Sequence, residues 1–418
     1  MVWYFDALTG QLRWSWQPLA ESILPTGAGN GWAMISVDAE RELVFVPTGS
    51  ASPDYHGLKR SGDNKWANSV VALSAKTGEL VWGFQLVHHD LWDYDTASQP
   101  VLATRHRDGV ERPVVIAGNK TGNLFVLDRQ TGTPVFGVEE RPVPQSDADG
   151  EQASATQPFP LAPPPLVAQQ LTAQDPWGLT PKDRDACRAL MQNLRAEGIF
   201  TPPSVRGIIA FPGNLGGMNW SSGAFDSQRQ IFVTNVNNLP MEVHLIPRDQ
   251  YEPVEKAAKR GEFRAEVSPQ HGTPYGMSRR VLVSPLASVP APCNPPPWGL
   301  LVAVDLAKGT IRWSVPLGTT ADLYPNAPII QRTPNLGGPI MTASGLVFIA
   351  SALDNYLRAF DIDTGAELWK GRLPAGGQAM PMTYRLRPGG KQYVVIAAGG
   401  HGKQPTTLGD SVVAFALP

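Results

Sequence analysis

The chain has 418 residues, 42% hydrophobic and 17% charged, with a formal net charge of −2. That is enough apolar material for a large core, and it gives no electrostatic reason to expect nucleic acid or an anionic membrane surface as a partner. No run of about 18 apolar residues is present to cross a bilayer, and Cys187 and Cys293 lie in no CxxC or CxxCH pattern, so neither a zinc ribbon nor an attached haem is indicated. The two cysteines allow one disulfide, which the sequence alone neither requires nor excludes.

In chain order, the first element is "FDALTGQLRW" (Phe5–Trp14), and its pattern returns four times. The later copies are "ALSAKTGELVW" (Ala72–Trp82), "VLDRQTGTPVF" (Val126–Phe136), "AVDLAKGTIRW" (Ala303–Trp313) and "AFDIDTGAELW" (Ala359–Trp369). A glycine (Gly10, Gly78, Gly132, Gly309, Gly365) precedes an aromatic by four residues in each, and all but the second carry an aspartate four residues before the glycine. This predicts a β-hairpin in which Asp and Thr cap the turn and glycine supplies a positive φ. "ISVDAERELVFVPTG" (Ile35–Gly49) and "GAFDSQRQIFVTNVN" (Gly223–Asn237) share a second pattern of strand, acidic turn and apolar strand. Gly78 to Gly132 is 54 residues and Gly309 to Gly365 is 56, the length of a four-stranded blade with its loops. The expected fold is all-β, a propeller. The abundance of glycine and proline, 41 and 40 residues, agrees with many turns between short strands.

Two stretches interrupt the repeat, near 139–203 and near 241–298. In the first, Thr180 and Pro181 form a good helix N-cap and first position, followed by apolar residues at helical spacing up to Leu194, with Gly198 as the stop. The second predicts a short helix near Pro253–Arg260. Insertions of this length are expected to cover one face of the disc.

The densest chemistry is "VHHDLWDYD" (Val87–Asp95), with two histidines and three aspartates in nine residues. Adjacent histidines on an extended chain diverge, so His88 and His89 read as packing or supporting residues rather than a metal pair. An isolated aspartate at a strand end usually caps a turn, and "NKTGN" around Lys120 is good turn chemistry.

Together these segments resemble the quinoprotein dehydrogenases that depend on pyrroloquinoline quinone (PQQ), and within them the membrane-bound glucose and quinate/shikimate branch. The similarity runs through "VHHDLWDYD", "GNKTGNLFVLDRQTG", "EGIFTPPS", "FPGNLGGMNW", "LGGPIMTASGLVFIASALDNYLRAFD" and "LPAGGQAMPMTYRLRPGGKQYVVIAAGGHG". The resemblance implies an eight-bladed W-motif propeller with the cofactor on its axis. It implies that Asp93 is the general base and a ligand of the Ca²⁺ or Mg²⁺ ion, and that Lys120 contacts the quinone oxygens. Trp32 would lie beneath the PQQ ring, and Asn219 and Trp220 would contact the cofactor. Asn235, Asp354 and His401 would lie near it. Asp95 is similar in position to an extra ligand of lanthanide-using alcohol dehydrogenases, but the glucose branch has such an aspartate too, so calcium or magnesium stays ahead. The substrate implied is an aldose or polyol, the electron acceptor ubiquinone, and the location the periplasmic face of the inner membrane.

The chain also departs from that pattern. Met1 falls inside a hairpin, so residues 1–418 read as one N-terminally truncated propeller domain of about five blades. The membrane-anchoring region and the upstream residues near the metal are then missing. Such a chain is expected to bind PQQ weakly and to turn over little by itself. Ser50 stands where alcohol-oxidising relatives place a metal-ligand asparagine, and their vicinal cysteine pair is absent, which disfavours a soluble quinoprotein alcohol dehydrogenase. The other reading is a non-catalytic propeller acting as an assembly scaffold.

Overall fold

A computed structural model describes residues 1–19, 27–220, 222–261, 265–287, 290–326 and 330–417. The repeat forms a hairpin, Val2–Phe5 with Leu12–Trp16, followed by a series of antiparallel sheets of three or four strands. These sheets begin at Ser36, Val101, Ala224, Ile340 and Met382 and are the blades of a β-propeller. Within a blade the strands pair in sequence order, as Ala224–Asp226, Ile231–Asn237, Gly299–Asp305 and Thr310–Pro316 do.

The hairpin chemistry is as the repeat predicts. Asp128 Oδ1 accepts from the backbone N–H groups of Gln130 and Thr131, and Gly132 N–H closes the turn on the Asp128 carbonyl. Asp6 and Asp361 do the same for their turns. In the copy without an aspartate, Ser74 Oγ takes the Thr77 N–H instead. The five glycines have φ between 70° and 75°, the left-handed region that turns of this kind need.

The same glycines serve a second purpose. Trp14 lies on Gly78 of the next blade, Trp82 on Gly132, Phe136 on Gly309 and Trp313 on Gly365, each so close that a Cβ would meet ring atoms at 2.6–2.8 Å. Three of the indoles also donate into that blade: Trp14 to Ala75 O (2.9 Å), Trp82 to Arg129 O (3.1 Å) and Trp313 to Ile362 O (2.8 Å). The repeat is therefore an inter-blade latch: the aromatic of one copy seats on the turn of the following one. Trp369, in the last copy, packs on Phe415 instead.

The core follows this order as a chain of apolar clusters, each shared by neighbouring blades. Phe45, Trp82 and Phe125 join the blade at Ser36 to the one at Val101, and Val126, Phe232 and Val304 join that to the next. The interruptions have structure of their own. Val138–Pro142 and Thr156–Pro160 form a hairpin. Helix α1, Pro181–Met191, has the Thr180 cap, completed by Asp183 as a capping box, but stops at Met191 rather than reaching Leu194. Helix α2 spans Arg248–Lys259, starting five residues earlier than expected, with Pro253 accommodated inside it. The strands Ile208–Ala210, Met241–Pro247, Tyr275–Val281 and Glu266–Ser268 make a four-stranded sheet outside the blade series. A Cys187–Cys293 disulfide ties α1 to the second interruption. No helix among the described residues is long and apolar enough to cross a membrane.

Candidate active site

Val87, Leu91, Trp92 and Tyr94 belong to one buried cluster with Phe200, Met241 and Tyr275. Anchoring by these apolar side chains fixes the aspartates between and after them, Asp90, Asp93 and Asp95, and each has a different task. Asp90 is the turn cap. It is buried, accepts from the N–H groups of Trp92 (3.1 Å) and Tyr94 (2.9 Å), and also bonds Asn68 and Ser50. Asp95 accepts from Ser50 N–H and from Lys120 Nζ, both at 2.6 Å. Asp93, between them, has a left-handed backbone (φ 60°) that turns its carboxylate onto a cavity of about 620 Å³. A non-glycine residue there costs roughly 1–2 kcal/mol, a cost that recurs at functional positions.

Lys120 Nζ lies 3.0 Å from Asp93 Oδ1, so one ammonium bridges two carboxylates. Arg279 Nη1 takes the other oxygen of Asp93 at 2.9 Å. Burial pushes the Asp93 carboxyl up, but Lys120 and Arg279 outweigh it and hold it at about 2. For Asp95, burial prevails over Lys120, and the adjacent Asp93 charge adds to it, raising the group to about 6. Lys120 loses solvation by burial, yet its two carboxylate partners raise it above the ordinary lysine range.

Two indoles line the same cavity, Trp32 and Trp220, 42% and 49% exposed. Their centroids are 6.1 Å apart in an edge-on arrangement, and His401 continues the row 5.0 Å from Trp220. Gly49 leaves room for this, since a Cβ there would meet both Trp32 and Asp95. Asn219 lines the same cavity and donates to Leu215 O at 2.9 Å. Six of the expected residues, Trp32, Asp93, Lys120, Asn219, Trp220 and His401, are thus brought to one cavity.

Asn235 and Asp354 are placed elsewhere. Asn235 is buried in its blade and donates to Asn335 Oδ1 at 2.6 Å. Asp354 takes both arms of the Arg358 guanidinium (2.8 and 2.6 Å) and the Thr319 N–H. Neither lines the cavity. His88 and His89 pin the inserted hairpin region, to Glu140 at 3.0 Å and Glu151 at 2.9 Å. Sequence reasoning missed Arg279, Tyr55, Asn214 and Glu266. The one available signal was the alternation of "YGMSRRV", which sends Arg279 and Arg280 to opposite faces.

The cavity suits a flat, conjugated anion: two exposed ring faces offer apolar area, with a buried ammonium beside them. For a metal ion the fit is partial. Among the described residues no three His, Cys, Asp or Glu side chains converge as ligands. One oxygen of Asp93, the Tyr55 hydroxyl and the reoriented Asn214 amide oxygen already surround a cation, the Arg279 guanidinium.

Comparison with known proteins bears on the same region. The chain is 43% identical over 432 residues to the quinoprotein glucose dehydrogenase of Escherichia coli, covering 99% of this chain and 53% of that protein. It is 40% identical over 434 residues to the quinate/shikimate dehydrogenase (quinone) of Acinetobacter baylyi, covering 99% and 53%. It therefore spans about half the length of these curated relatives. The crystal structure of quinohemoprotein alcohol dehydrogenase from Comamonas testosteroni shares the fold, with a TM-score of 0.64 at 24% identity, covering 99% of this chain and 56% of that one. The family described as the PQQ-dependent glucose/ethanol/alcohol dehydrogenase β-propeller domain matches residues 1–394, and the chain belongs to it.

Proposed function

We propose that this chain carries the catalytic wall of a quinoprotein dehydrogenase that oxidises a sugar or cyclic polyol of the glucose or quinate type. The observation that carries the reading is that Asp93 and Lys120, bridged to Asp95, line one cavity with two exposed indoles. Bound PQQ supplies the ortho-quinone that accepts hydride. Trp32 and Trp220 offer it ring faces, and Lys120 offers a cationic donor to its oxygens. Asp93, held ionised, takes the proton of the substrate hydroxyl. A Ca²⁺ or Mg²⁺ ion would be held on this chain's side by Asp93 and the Asn214 amide oxygen, and would supply Lewis-acid polarisation of a carbonyl. Residues 1–418 act as one propeller domain, with the stretches near 139–203 and 241–298 as insertions over the cavity. Ubiquinone takes the electrons, and the site faces the periplasm at the inner membrane. The disulfide supports an oxidising compartment.

The test is to load the purified chain with PQQ and Ca²⁺ or Mg²⁺ and follow reduction of the bound quinone by glucose, quinate and simple alcohols. Weak binding, with slow reduction by glucose or quinate in preference to simple alcohols, is expected. Bound PQQ that none of them reduces, or no PQQ binding, would leave the propeller as a scaffold.

A further inference from the structure

The head of Arg279 is enclosed by oxygen. Nη1 lies 2.9 Å from Asp93 Oδ2 and 2.7 Å from the Tyr55 hydroxyl, and Nε lies 3.0 Å from Glu266 Oε2. Turned to satisfy its neighbours, the Asn214 amide presents its oxygen to Nη1 at 3.0 Å. Two carboxylates, an amide oxygen and a phenol oxygen are the kind of donors a hard divalent cation takes. Here a side-chain cation fills the position.

Arg279 and Lys120 hold Asp93 in different ways. Lys120 is buried between Asp93 and Asp95, and both its ion pairs lie on the cavity floor. Arg279 has an outward partner: Glu266 is about half exposed, on the edge strand directly opposite Arg279. A guanidinium that leaves Asp93 keeps Glu266, so its departure strands no unpaired charge.

We propose that Arg279 is a built-in counter-cation, holding Asp93 Oδ2 while no divalent ion is bound and yielding that oxygen and the Asn214 amide when one binds. The arginine then withdraws to Glu266. This rests on the reading of Asp93 as a cation ligand and not on PQQ, which the test leaves out, so failure here is distinct from failure of the dehydrogenase reading.

The test is calorimetric titration of the chain with Ca²⁺ alone. Arg279→Gln removes the competitor and leaves two carboxylates facing the vacated space, so it should bind Ca²⁺ about ten-fold tighter than the parent, or more. The gain should vanish in the Arg279→Gln, Asp93→Asn double variant. Glu266→Gln, at a half-exposed edge where folding is not at stake, should weaken Ca²⁺ binding several-fold, because Arg279 loses its fallback partner. Unchanged, weaker or absent binding by Arg279→Gln would overturn the proposal, as would a gain that survives loss of Asp93. Should Arg279→Gln fail to fold, Glu266→Gln decides: affinity equal to or tighter than the parent's overturns it.

Discussion

Asp93 and Asp95 stand two residues apart and share Lys120, yet their environments push them in opposite directions, to about 2 and about 6. Arg279 adds its charge to Asp93 and not to Asp95, and the negative Asp93 in turn raises its neighbour. At neutral pH Asp93 is therefore ionised and pointed into the cavity, as a base must be. Asp93→Asn keeps the shape and removes the basicity. PQQ should still bind, and its rate of reduction by substrate should fall by roughly 10²–10⁴-fold, measured by stopped-flow absorbance. A rate within a few-fold of the parent would remove Asp93 from that role. The sequence exposed Asp93 and Lys120 because both lie in short motifs at a fixed distance of 27 residues. It could not expose Arg279, whose contact with Asp93 spans 186 residues and is created by an inserted sheet. Asn235 and Asp354 show the converse limit. Their motifs are legible, but whether a polar side chain faces the axis or a neighbouring strand depends on the pairing geometry around it.

The hairpin turns were legible because their determinants are local: an aspartate or serine caps, and a glycine four residues on takes the positive φ. The second use of that glycine, as the seat for the preceding blade's aromatic, is a tertiary fact visible only as a repeat. It makes Gly132→Ala doubly unfavourable, since a Cβ is strained at φ 73° and meets Trp82 at 2.6 Å. Urea unfolding should show a loss of about 2–4 kcal/mol; a change within 0.5 kcal/mol would refute the latch.

A different contact holds the inserted hairpin region. Burial raises the Glu151 carboxyl, but His89 and the Gly57 N–H outweigh it and keep it below its ordinary value. A depressed carboxylate contributes stability that is fully present above its unfolded value and is lost as pH falls through the folded one. Glu151→Gln should therefore cost roughly 1–3 kcal/mol at pH 7. The difference from the parent should shrink towards pH 3, read by urea unfolding at both pH values. A constant difference would show that the contact is not ionic.

At the scale of the whole molecule, blades pack in sequence order while the cavity draws on residues from Trp32 to Pro405. Its outer wall includes Pro290 and Pro292, next to Cys293, whose disulfide to Cys187 spans 106 residues. Replacing both cysteines with alanine should lower stability by roughly 2–5 kcal/mol and weaken PQQ binding as that wall loosens. Unchanged stability, measured by denaturant titration, would show that the staple is incidental. Lys120 and two indoles line the cavity proposed as the PQQ site. Its most direct test is calorimetric titration of the chain with PQQ in the presence of Ca²⁺, for the parent and for Trp220→Ala. Because Trp220 is half exposed, its loss should leave the fold intact. One saturable site per chain is expected in the parent, with affinity reduced by about ten-fold or more in the variant. No saturable binding, or equal affinity in both, would contradict it.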